Sequence, residues 1–96
     1  MAHTTVVKED STIYIDGEGI GGCDMSGLPD DFHALQWDGS DGHIEYTDVL
    51  KPNLVVSSKS QIESALGVSL TTLIERRNAQ IAVNKAAEAA RIAAIK

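Results

Sequence analysis

The sequence predicts an α+β protein: a small antiparallel sheet of β-hairpins in the N-terminal half, then a short helix and a long alanine-rich C-terminal helix. Three observations carry this. Up to Pro52, β-branched and aromatic runs alternate with polar turns, the pattern of half-buried strands. Beyond Pro52 the pattern turns helical, and from Thr72 it reaches Lys96 without Gly or Pro. The charge divides at the same place. Eleven acidic side chains and one lysine precede Lys51, a net of −10, whereas from Lys51 onward seven basic side chains oppose three acidic ones, a net of +4. The chain is thus expected to be one small domain, with an acidic β-hairpin unit over 1–52 and a helical assembly segment over 53–96. The two charged halves serve either as solvated surfaces or as docking partners, the basic half of one copy on the acidic half of another.

The first hairpin is "TTVV" and "TIYI" closed by the polar turn "KEDS". After it comes "YIDGEGIGG", which contains G-x-G-x-x-G at Gly17, Gly19 and Gly22. In dinucleotide enzymes that motif works because a helix beginning at the glycines aims its N–H groups and positive dipole end at the pyrophosphate. Here Gly27 and Pro29 break any helix that starts there, and Asp38, some twenty positions on, lies in a turn rather than at a ribose. The match is one of composition. We expect a flexible glycine connector and no cofactor.

The second hairpin pairs "FHALQW" with "HIEYT" around "DGSDG". Pairing Leu35 with Ile44 and His33 with Tyr46 leaves Asp38 to Asp41 as the loop and places Leu35, Trp37, Ile44 and Tyr46 on the core side. Trp37, the largest apolar side chain, is expected at the centre of that core.

In the helical segment, Ser60 with Glu63 forms a capping-box pattern, so a short helix should start there and end near Gly67. Thr72 with Glu75 repeats the pattern at the head of the long helix. Along it Ala79, Val83, Ala86, Ala90 and Ala93 advance by alternating steps of four and three, a heptad seam of small residues that lets two helices approach closely. Isolated amphipathic helices gain little from propensity alone. This one therefore needs a partner surface: its own sheet, another copy, or another protein.

"QIESALGVSLTTLIERR" also looks like the helix-turn-helix of small transcriptional regulators, with Arg76 and Arg77 set to reach phosphates or bases. Against it stand Glu63, where the crossing helices want a small residue, and an acidic half that would repel a duplex carrying a charge every ~1.7 Å. Nucleic acid is not an expected partner.

Enzymatic chemistry is not expected. The single cysteine, Cys23, excludes an internal disulfide and a paired-cysteine zinc site, and His3, His33 and His43 lack any spacing that puts two donors on one face. The abundant carboxylates sit in turns, where they stay ionised. With no basic, apolar leader and no apolar run of the ~18 to 20 residues that span a bilayer, neither export nor membrane insertion is expected.

At "SGLPDDFHALQWDGSDGHIEYTD" the chain resembles small proteins encoded in bacteriophage tail modules near fibre and baseplate genes. The resemblance rests on Leu28, Pro29, His33, Ala34, Leu35, Gln36, Trp37, Asp38, Gly39, His43, Ile44, Glu45 and Tyr46, with the preceding hairpin "TVVKEDSTIYIDG". It covers about the first half of the chain. It implies a non-enzymatic tail protein, assembled in the host cytoplasm, that associates with fibre or baseplate proteins; the helix seam adds the expectation of a homo-oligomer. Such a protein is either retained in the virion or acts as an assembly chaperone. No catalytic residues come with the resemblance.

Overall fold

The computed structural model describes residues 3–95, with side chains through Ile92. Six strands, β1 (Thr4–Val7), β2 (Thr12–Ile15), β3 (Glu18–Ile20), β4 (Phe32–Trp37), β5 (Gly42–Tyr46) and β6 (Leu54–Val56), precede two helices, α1 (Lys59–Leu66) and α2 (Leu70–Ile95). The architecture is α+β. All strand pairs are antiparallel, in the order β3-β2-β1-β4-β5-β6, so two three-stranded meanders meet edge to edge at β1 and β4.

One rung runs unbroken across all six strands. Ile20, Ile13, Val6, Leu35, Ile44 and Leu54 are successive cross-strand partners, so they share one face. Ile62 and Leu66 of α1, Val68, and Leu70 and Leu73 of α2 complete a single core with that face. The opposite face carries Tyr14, Thr5, Gln36, His43 and Val55 on one rung, and among the described residues the helices pack on the other face. The core therefore draws on residues from both sides of Pro52.

The first hairpin forms with its strands and its turn where the side-chain pattern puts them. The glycine stretch does not form a connector; it forms β3. Asp16 and Gly17, with φ of 51° and 84°, make a tight two-residue turn whose twist suits a hairpin. The Tyr14 ring lies over Gly19 on the paired strand. Residues 21–31 that follow contain no helix, so the glycines have no dipole to aim at an anion.

In the second hairpin Leu35 opposes Ile44 as expected, and Leu35, Trp37 and Ile44 are buried. Tyr46 is half-buried against the core edge. His33 does not pair with Tyr46. A register shift between Phe32 and Ala34 puts Phe32 opposite Tyr46. One extra residue reverses the alternation, so Phe32 is fully buried while His33 turns out to Glu9.

Asp38 opens the turn. Its carboxylate accepts the N–H groups of Ser40 and Asp41 at 3.0 and 2.8 Å, and these bonds hold its pKa below the ordinary carboxylate range. At the far side of the turn Gly42 opposes Trp37, and a Cβ there would overlap the Gln36 carbonyl oxygen and lie 3.0 Å from the Trp37 Cα. Backbone atoms cannot swing aside as a side chain can. Gly42→Ala is therefore expected to cost about 1 to 3 kcal/mol, as overpacking does, and urea titration against the parent measures it.

Beyond Pro52 the chain makes β6 before it turns helical. The caps also fall earlier than the sequence pattern places them. Ser58, not Ser60, caps α1, accepting the Gln61 N–H, while the Gln61 side chain reaches back to Ser57 N–H. Ser69, not Thr72, accepts the Thr72 N–H at 3.1 Å and opens α2. Gly67 ends α1 in the left-handed conformation, as expected.

Candidate functional site: the free half of the long helix

α2 has two different halves. Its first turns bury Leu70 and Leu73 in the core. Arg77, only 7% exposed, crosses to the β2–β3 end of the sheet, where Nε donates to the Ile13 carbonyl at 3.2 Å and a terminal nitrogen donates to the Glu18 carbonyl at 2.9 Å. Gln80 still lies against Gly22. From Ala82 to Ile92 every side chain is exposed. At 1.5 Å per residue the helix is about 39 Å long, in a molecule whose longest dimension is 54 Å.

The small-residue seam lies mostly on this free half. Ala79, Val83, Ala86 and Ala90 are exposed, and the side chain of Ala93 falls outside the described residues. Val83 and Ile92 remain 58% and 47% exposed. Rotation of 100° per residue places Glu88 about half a turn, and Lys85 and Arg91 about a third of a turn, from the centre of the seam. Arg91 and Glu88 approach within 4.0 Å on that charged side. The helix thus separates an uncharged small-residue face from a charged one, and the sheet covers neither.

The arginines nominated for nucleic acid are engaged elsewhere. Arg77 is buried as described, and Arg76 donates to the Asp24 and Ser26 carbonyls at 3.2 and 2.8 Å. Both face the sheet side of α2 and leave no cationic pair at its surface. The two charged halves also meet within one chain. Lys51 bonds Asp31 at 2.6 Å, and Arg76 stands 3.8 Å from Asp24. The Asp31 carboxyl is held below its usual pKa by the Lys51 ammonium, and that of Asp24 by hydrogen bonds from Ser26.

The histidines occupy three separate places, His3 on Gln36, His33 on Glu9 and His43 on Glu45. Cys23 is buried and its thiol donates to the Ile20 carbonyl; burial pushes its pKa up. Among the described residues no group of three or more His, Cys, Asp or Glu is placed to hold a metal ion. No helix among them is long and apolar enough to cross a membrane. Compared with protein-family models, with curated proteins and with solved structures, the chain finds no match.

Proposed function

We propose that this protein is a non-enzymatic structural component of a bacteriophage tail, at the baseplate or fibre attachment, acting through contacts made by the free half of α2. The observation that carries the proposal is the exposed seam itself. A folded domain anchors one half of a helix through Leu70, Leu73 and Arg77 and holds the other half away from its surface, with an uncharged face available. The likeness of Ser26 to Asp48 to tail-module proteins supports the setting, which would be the virion tail, assembled in the host cytoplasm. An assembly chaperone would use the same helix. Mass spectrometry of purified virions separates the two, since a retained component appears at fixed copy number and a chaperone is absent.

The seam makes a testable claim. Alanines bury little area; their value is in letting a partner backbone come close. Ala86→Leu or Ala90→Leu is expected to cost about 1 to 3 kcal/mol of association per overpacked site. The parent's melting temperature should be kept, because both positions are exposed in the single chain. Leucine at Lys85 or Glu88, on the far side, should do little. Co-sedimentation with fibre or baseplate proteins measures the difference, and unchanged binding by Ala90→Leu would remove the seam from the reading.

A further inference from the structure

The sheet has two edges, and they are treated differently. At β3 the edge strand carries a charge, Glu18, whose side chain is exposed. At β6 nothing comparable is present. Asp38 N–H donates to the Asp41 carbonyl, so hydrogen-bonded pairs alternate through Gln36 and His43. The polar groups of Gly42 and Ile44 then face β6 and meet Val56 and Leu54, which leaves the N–H and C=O of Val55 pointing off the sheet. The Val55 side chain is 74% exposed. Leu54-Val55-Val56 carries neither charge nor proline, the usual guards of a free edge.

Beside this strand runs a groove of about 370 Å³, bounded on the α1 side by Ser60, Gln61, Ser64 and Ala65. None of these is charged; Lys59 and Glu63 fall on the remaining arc of the helix. An occupant must therefore bring an uncharged strand, since a buried charge would find no partner there. Before β6 a tight turn presents Val49 and Leu50, 95% and 88% exposed. The turn is held by Asp48, which accepts the Leu50 and Lys51 N–H groups, and by Lys51, fixed between Asp31 and the Tyr46 ring.

We infer that β6 is a two-fold interface, its occupant the β6 strand of a second copy. The segment the groove requires, short, apolar and uncharged, is the segment that bounds it. Pairing about Val55 lets each Val55 N–H donate to the other's carbonyl and joins the two sheets into one. Charge also selects this edge. Residues 49–66 hold two lysines and one glutamate, whereas residues 1–48 carry a net −10 and would repel a like copy. The inference is independent of the proposed tail function, because α2 packs at the β2–β3 end of the sheet and leaves β6 open.

The test is sedimentation of the full chain beside two β6 variants and one seam variant. Wild type should dimerise with rising concentration. Val55→Lys, which sets two ammonium groups against each other across the two-fold, should weaken the dimer roughly 100-fold or more. It should melt like the parent, since Val55 is exposed in the single chain. Val55→Thr, β-branched and neutral, should keep the dimer, as should Ala90→Leu. Exchange of the Val55 amide should slow as concentration rises. A wild type that is monomeric up to about 1 mM, or a dimer that survives Val55→Lys, would overturn the inference. So would a dimer abolished by Ala90→Leu but not by Val55→Lys.

Discussion

Replacing Trp37 by alanine is expected to destabilise the protein by roughly 3 to 5 kcal/mol, the range for a large buried aromatic. Trp37 ends β4 with 4% of its surface exposed, between Thr4 on one side and Gly42 on the other. Gly42 has no side chain to fill the space that the indole leaves. The cavity would open beside Val56, in the same core that Ile62 and Leu73 close from the helices. Sheet and helices should therefore lose stability together, in one transition. Urea titration followed by far-UV circular dichroism measures the loss, and Trp37→Phe should keep more of it than Trp37→Ala. A Trp37→Ala midpoint equal to the parent's would show that the indole contributes little to this core and would recast it as a contact for another protein.

Much of the sheet was legible because side-chain chemistry and turn chemistry agreed. "TTVV", "KEDS" and "TIYI" delimit β1, its turn and β2, and Leu35 with Ile44 sets the second register. The misreadings have local causes. In "FHALQW" the two-residue alternation continues through His33 as if no bulge were there; only packing makes it worthwhile to send Phe32 inward and His33 out. Asp16-Gly17 is a strong hairpin turn, but the three further glycines through Gly22 invite a loop reading that conceals β3. β6 is three residues long, too short for a period, and borders a serine run in which Ser57, Ser58 and Ser60 all offer a cap. Ser58 is used because its hydroxyl accepts the Gln61 N–H while the Gln61 side-chain oxygen accepts the N–H of Ser57, the residue before the cap.

The candidate site was legible as a pattern and not as a surface. Steps of four and three mark Ala79, Val83, Ala86 and Ala90 as one face, yet the same steps would describe a helix laid along its own sheet. What separates the cases is where the sheet ends. α2 meets β2 and β3 with its first turns and then outruns them, so that Gln80 on Gly22 is near its last hold. No property of the alanines themselves encodes that. The β6 edge was less legible still, because the free polar groups of Val55 follow from hydrogen-bond alternation beginning at Asp38 and Asp41.

Arg77 joins fold and site, and its replacement is the second large effect expected. From sequence it stands beside Arg76 as a cation for phosphates; in the fold its guanidinium ties α2 to the carbonyls of Ile13 and Glu18. Hydrogen bonds from a charged donor contribute ~1.5 to 3 kcal/mol each, and Glu18, exposed at the edge, can exchange its bond for one to water. Arg77→Ala should therefore cost about 2 to 4 kcal/mol. Arg77→Lys should recover little of it, because one ammonium cannot reproduce a fork directed at carbonyls on two strands. Arg77→Met, which keeps the packing of the stem, isolates the hydrogen bonds. Arg76, bonded to Asp24 and Ser26 nearer the surface, should cost less. Denaturation midpoints rank the four variants, and amide exchange should quicken first in β2 and β3. Seam contacts should persist in Arg77→Met under native conditions, because the free half of α2 carries them without help from the sheet. An Arg77→Ala protein as stable as its parent but impaired in binding a duplex would reverse the assignment and return this arginine to nucleic acid.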